Sequence, residues 1–194
     1  ANQATPAVID VHFEIPDCQC IRDKSLIDAV AIANAKGAHI ELTIIGEGKH
    51  GPELEQRAAS CGLSNHVRFK GHVTPGKPIR DALDRADLFV LPSRTEGLPR
   101  AMIEAMARGV PCIGSDVGGI PELLAPTECV RPGDAPTLAA KLVEVLADPQ
   151  RLADLSRVNL QKAQEYNAKI LRPRRQALYQ AVKDATLRWQ ETKS

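Results

Sequence analysis

The sequence predicts an α/β fold in which helices cover both faces of a parallel sheet. Three observations lead there. Short apolar runs punctuated by Gly or Pro alternate with longer stretches of helical period. Runs such as Leu88–Leu91 are continuously apolar rather than alternating, the pattern of strands buried on both faces. Strand–helix alternation of this kind joins parallel strands through right-handed crossovers.

Taken in order, Val8–Phe13 reads as a first strand, while Pro16 to Ser25 shows no clear period. Ile40–Ile45 is a β-branched run that ends at Gly46. Residues 52–61 are helical in period, with Pro52 in the first turn. Strand His66–Phe69, helix Lys77–Ala86 and strand Leu88–Leu91 follow. A helix over about Pro99–Arg108 stops at Gly109, a residue suited to the left-handed helix end. Val110–Gly114 is the next strand, Ile120–Leu124 a short helix and Glu128–Arg131 an edge strand. Helices around 135–147, 149–166 and 174–190 close the chain. Ligands of such Rossmann-like sheets sit at the carboxyl ends of the strands, which directs attention to the loops after Ile45, Phe69, Leu91 and Gly114.

Composition narrows the function. The 194 residues suffice for one well-packed domain. A net charge of +1 gives no global field for nucleic acid, and 3% aromatics offer little surface for stacking bases. No apolar run approaches the ~20 residues of a membrane helix. Asp10, His12 and Glu14 break any apolar leader early, so no signal peptide is expected. The five cysteines, Cys18, Cys20, Cys61, Cys112 and Cys129, are odd in number and suit reduced thiols in the cytoplasm. No Cys/His pair matches Cys18 and Cys20 at finger-like spacing, so no metal is expected.

The sharpest segment runs from Pro92 to Met106, PSRTEGLPRAMIEAM. A buried strand ends, a turn carries Glu96 and Gly97, and a helix begins near Pro99. Proline fits the first helical position because no amide is wasted there. The amides of Arg100 and Ala101 then stay open, and with the helix dipole they make an anion site suited to phosphate. Gly97 lets backbone approach a ligand closely. Glu104 stands on the second turn, roughly 7–9 Å along at 1.5 Å per residue. A diphosphate at the helix start would separate a sugar from a ribose by a similar length. The two carboxylates, which only accept hydrogen bonds, are natural partners of the two diols. A plainer reading makes Glu96 a loop acid and Glu104 a solvated helix residue. The apolar neighbours Met102, Ile103, Ala105 and Met106 weigh against it.

From Gly71 to Leu124 the chain resembles the donor-binding, C-terminal domain of retaining glycosyltransferases of the large family-4 type, whose two-domain architecture is called GT-B. The likeness lies in ADLFVLPS (86–93), in the Glu96 and Glu104 pair, in EAMARGVP (104–111) and in SDVGGIPE (115–122). Weaker likeness runs from Leu42 to Gly71 and through the helices after residue 135. The resemblance implies that Glu96 contacts the donor sugar and Glu104 the ribose. It places the backbone of Gly97, Leu98, Pro99 and Arg100 at the diphosphate and that of Gly71 and His72 at the base. It implies retention of configuration with no metal or other cofactor, the nucleoside-diphosphate sugar being substrate.

Two departures stand out. Relatives often carry Glu-Gly-aromatic-Gly where this chain has Glu-Gly-Leu-Pro, so Leu98, Arg100 or Ala101 must serve the phosphate. Leu26-Ile27-Asp28-Ala29 resembles the helix that follows a Lys-Gly pair in the family, yet Lys24 sits three residues closer and Ser25 replaces the glycine. Arg22 and Lys24 are both candidates to neutralise the diphosphate. The Gly46–Gly51 glycines match a dinucleotide pattern but lack the acid about 20 residues on. Ser93 and Ser115 lack a nucleophile elbow.

The expectation is therefore a glycosyl transfer from a nucleoside-diphosphate sugar, a UDP-sugar being one candidate and polysaccharide biosynthesis one setting, with base, sugar and acceptor left open. Residues 1–172 would form the nucleotide-sugar-binding domain. Residues 173–194 would form a helix crossing to an N-terminal acceptor domain outside this sequence. A donor, an unidentified acceptor and that domain are the expected partners, and no nucleic acid. The basic amphipathic stretch Arg172–Gln190 leaves peripheral attachment to the inner membrane face open. A binding fragment without turnover, and an epimerase or phosphorylase of the same architecture, are the alternatives.

Overall fold

The computed structural model describes residues 7–12 and 24–192. Six parallel strands alternate with helices. They are β1 (Ala7–His12), α1 (Ser25–Ala35), β2 (Ile40–Ile45), α2 (Gly51–Ser60), β3 (Val67–Phe69), α3 (Lys77–Leu83), β4 (Leu88–Leu91) and α4 (Arg100–Ala107). Then follow β5 (Cys112–Ser115), α5 (Ile120–Leu123), β6 (Cys129–Val130), α6 (Ala135–Leu146), α7 (Pro149–Gln164) and α8 (Ala168–Glu191). The sheet order is β3-β2-β1-β4-β5-β6, so the winding reverses between β1 and β4. That is the strand order of doubly wound nucleotide-binding sheets, which open a crevice at the reversal.

Both faces of the sheet are covered, as continuous apolar strands require. Along β4, Leu88 and Val90 face one apolar cluster with Leu26, Ile27 and Val30 of α1 and Leu138 and Leu142 of α6. Phe89 and Leu91 face the other, with Ile79 and Leu83 of α3 and Met102 and Met106 of α4. Polar groups lock the helices to this frame. The Asn34 side chain donates to the Ile40 carbonyl (3.0 Å) and accepts from its amide (2.6 Å), fixing α1 to the start of β2. The Asn159 Nδ2 donates to Val110 O at 3.1 Å from within the core, holding α7 to the entry of β5. Asp134 and Asp148 cap α6 and α7 by accepting from first-turn amides.

Several boundaries shift from the sequence reading, each for a local reason. β5 starts at Cys112 rather than Val110, because Pro111 cannot donate; its carbonyl instead receives the Phe89 amide at 2.8 Å. A 3₁₀ turn over Pro126–Glu128 takes the first residue expected in the edge strand, leaving β6 two residues long. The last helix begins at Ala168, with Asn167 accepting from the Lys169 amide, and carries Pro173 inside it. It therefore starts six residues before the expected 174, and the expected domain limit at 172–173 falls within it. None of residues 168–190 is buried, and Leu178, Tyr179, Val182 and Trp189 are more than half exposed.

Gly114 sits where β5 meets α4 and α5. A Cβ there would lie 2.7 Å from Ile120 Cγ2 and 3.0 Å from Met102 Cε. Gly114→Ala is expected to destabilise the domain by about 1–3 kcal/mol through overpacking. Urea unfolding checks this, with an unchanged midpoint as the contrary result.

Candidate functional site

The reversal lies between β1 and β4, whose carboxyl ends lead into the β1–α1 and β4–α4 loops, and sheets of this kind open their crevice there. Most of the first loop, including Arg22, lies outside the described residues, as do Cys18 and Cys20. The second carries the carboxylate motif. Here Pro99 corrects the sequence reading. It is not the first helical residue but the N-cap, with an extended ψ of 107°, and no side chain caps the helix. The first intrahelical bond to the cap runs from Ile103 N to Pro99 O at 3.3 Å. The amides of the three residues before it, Arg100, Ala101 and Met102, therefore have no carbonyl of the helix to reach. One more amide than expected joins the positive end of the helix dipole at the crevice.

Glu96 is held at both its side chain and its backbone. Buried Ser93, just past the end of β4, donates its Oγ–H to Glu96 Oε1 at 2.7 Å. The turn after β5 packs directly on the Glu96–Gly97 backbone. Gly119 N donates to Gly97 O at 2.8 Å, and a Cβ on Gly118 would lie 1.8 Å from Glu96 O. Gly118 also adopts φ +54°, open to glycine at little cost. Because these peptides are trans, carbonyls turned to the Gly118–Gly119 turn point the amides of Gly97 and Leu98 the opposite way. Leu98 projects into solvent beside them.

Glu104 stands on the exposed side of α4, between two grooves. One, of about 300 Å³, runs between α3 and α4 and is lined by Pro75, Gly76, Ile79, Leu83, Ala107 and Arg108. The other, of about 310 Å³, lies between α4 and the end of α7, with Ile103, Leu160, Tyr166 and Asn167. The wall leading to Pro75 is firm. Gly71 takes φ +60° and accepts from Gly46 N at 2.8 Å, while the His72 amide donates to Glu47 Oε1 at 3.1 Å. The loops after β2 and β3 are thereby tied together, and the Gly46–Gly51 glycines serve that turn.

The remaining cations divide by location. Lys24 occupies the N-cap position of α1, without a capping bond from its side chain, and its Nζ lies 3.7 Å from Glu53 on α2. The same carboxyl is held below its ordinary range mainly by its bond to His50, with Lys24 a smaller cause. Arg108 is committed to Asp84 through two bonds of 2.6 Å, which join the ends of α4 and α3. Arg94 sits on the carboxylate loop and Arg100 opens α4; Arg94 packs near Gly133, whose Cβ would come 3.1 Å from its Nη2. Among the described residues no group of three His, Cys, Asp or Glu side chains could hold a metal ion, and no helix could cross a membrane. Burial pushes the Cys112 thiol far up, as for a core hydrophobe. Ser93, Arg94, Gly118 and Gly119 are the site residues that motif reading left without a role.

The family model for glycosyl transferases group 1 matches residues 24–148. The amylovoran biosynthesis glycosyltransferase AmsK of Erwinia amylovora is 39% identical over 133 residues, covering 61% of this chain and 31% of that protein. The GDP-mannose-dependent monoacylated alpha-(1-6)-phosphatidylinositol monomannoside mannosyltransferase of Corynebacterium glutamicum is 35% identical over 138 residues, covering 66% of this chain and 35% of that one. The chain thus spans about a third of these relatives. Among solved structures, sucrose-phosphate synthase from Thermosynechococcus elongatus superposes with a TM-score of 0.77 and 25% identity, over 92% of this chain and 46% of that one. Anabaena HepE in complex with UDP and glucose gives a TM-score of 0.79 at 23% identity, over 90% and 48%, a likeness of fold.

The two glycines of the carboxylate region differ in their surroundings. A Cβ at Gly97 would meet nothing within 4 Å. Gly118→Ala is expected to cost about 2–4 kcal/mol, from overlap with Glu96 O and a left-handed φ. Gly97→Ala is expected to stay within about 0.5 kcal/mol of the parent. Paired thermal melts check this; equal losses would contradict it.

Proposed function

The chain belongs to the glycosyl transferases group 1 family, and we propose that it is the donor-binding half of a GT-B enzyme that transfers a sugar from a nucleoside diphosphate to an acceptor hydroxyl with retention. The observation that carries this reading is the uncapped start of α4, flanked by Glu96 and Glu104 at the sheet's reversal. The diphosphate sits on the amides of the first turn. Glu104 accepts from the ribose hydroxyls, the α3–α4 groove beside it takes the nucleoside, and the backbone of Gly71 and His72 meets the base. Glu96 accepts from the sugar hydroxyls.

In the reaction the bond from the anomeric carbon to the diphosphate oxygen breaks and the acceptor oxygen bonds to that carbon. The acceptor's proton leaves with the diphosphate. Charge builds on the departing diphosphate, and the chain meets it with fixed dipoles at α4 and with a cation, Arg22 or Lys24. Arg100 adds a second positive group at the first turn. This chemistry asks for no metal or cofactor in the domain.

Such a transfer also needs the acceptor held opposite the donor. We assign that task to an N-terminal domain. The coverage of about a third of each curated relative supports the assignment, as does α8, whose Leu178, Tyr179, Val182 and Trp189 are more than half exposed. The amylovoran biosynthesis and the phosphatidylinositol monomannoside named for the relatives suggest a cytoplasmic enzyme working at the inner membrane face. The isolated chain would then bind donor without turnover.

Glu104→Ala is expected to weaken UDP and GDP binding by about 1–3 kcal/mol, the loss for hydrogen bonds to a charged group. Unchanged calorimetric affinities for both nucleotides would sink the ribose assignment. Glu96→Ala is expected to spare the bare nucleotide and remove preference for its sugar-linked form; losing both alike would show that the roles are misassigned. In the isolated chain, amides of residues 174–190 are expected to exchange within seconds to minutes, as in an unsupported helix. Protection equal to that of α4 would argue against a docking partner.

A further inference from the structure

We infer that Ser93 and the Gly118–Gly119 turn are positioning elements that decide how Glu96 meets the sugar. The inference rests on the reading of Glu96 as the sugar-contacting carboxylate and adds to it the parts that hold that carboxylate in place. Glu96 is on a loop and only half-buried, so nothing in its own backbone fixes its side chain. Left alone, it would lose rotamer freedom each time a sugar bound, and that cost would come out of the affinity.

Two contacts remove that freedom beforehand. The Ser93 hydroxyl, inside the protein where no water competes, donates to Oε1 at 2.7 Å. A carboxylate oxygen held this way leaves Oε2 as the one with its full accepting capacity, so the sugar diol meets a single orientation of the group. At the backbone, Gly119 N binds Gly97 O and Gly118 lies flat against Glu96 O, closer than any side chain would permit. The Cα of Glu96 is therefore pinned from the β5 side while its carboxylate is pinned from the β4 side. Neither Ser93 nor the glycines touch the sugar; they act through Glu96.

The test is a double-mutant cycle on the 194-residue chain, read by calorimetry with two probe pairs, UDP against UDP-glucose and GDP against GDP-mannose. The quantity followed is the preference for the sugar-linked member of the pair that the parent binds more tightly. Ser93→Ala is expected to lower that preference about fivefold to tenfold and leave the bare nucleotide within twofold, with a thermal melt confirming the fold. In the Glu96→Ala background, Ser93→Ala is expected to change nothing further, because residues acting through one group are not additive. Gly119→Ala, if folded, is expected to behave like Ser93→Ala. Full retention of sugar preference in Ser93→Ala, while Glu96→Ala abolishes it, would overturn the positioning role and leave the site reading standing. A loss of equal size in both backgrounds would likewise overturn it, placing the effect of Ser93 elsewhere. No preference in the parent, or no binding of either pair, would overturn the reading of Glu96 and the inference with it.

Discussion

Everything in this domain follows from the burial of β4 on both faces. Leu88, Phe89, Val90 and Leu91 have no exposed side chain among them. A strand of that kind cannot lie at an edge or face water, so it takes the middle of the sheet with α1 and α6 on one side and α3 and α4 on the other. Its chain direction then sends the next residues out of the core at the carboxyl end, beside β1, where the winding reverses. Ser93 is still within the core when that happens, and Glu96 is not. The site is thus the first part of the chain to leave the interior after the most constrained strand.

Much of this was legible before any coordinates. The strands at β2, β4 and β5 show as apolar runs, and Gly109, with φ +75°, stops α4 as expected. What escaped has two origins. α1 is picked up only at its start, Leu26–Ala29, and only through the family resemblance, although buried Leu26, Ala29, Val30 and Ala33 recur at helical spacing; the aperiodic stretch before it hides where the helix begins. Pro99 misleads because proline is compatible with several positions around a helix start, and the sequence does not say which the backbone takes.

The site divides along the same line. The Glu96 and Glu104 pair is readable because both residues lie on one loop and helix, where spacing translates into distance. The partnership of Ser93 with Glu96 is nearly readable, being three residues apart, but a serine after a strand carries no special pattern. The docking of Gly118 and Gly119 on the Glu96–Gly97 backbone is not readable at all. It joins two loops across the tops of adjacent parallel strands, β4 and β5, and depends on their register. The paired glycines are visible in the sequence, but what they make room for is visible only in three dimensions.

That same packing determines where the cleft tolerates alteration. Gly118 and Gly119 are sealed against neighbouring backbone, so any side chain placed there would move Glu96 before it reached a ligand. Leu98 is 44% exposed and next to both, with its side chain outside the core. An engineer wishing to recut the loop around Glu96 therefore has one permissive position adjoining two forbidden ones, and a library that randomised all three equally would spend most of its members on unfolded loops.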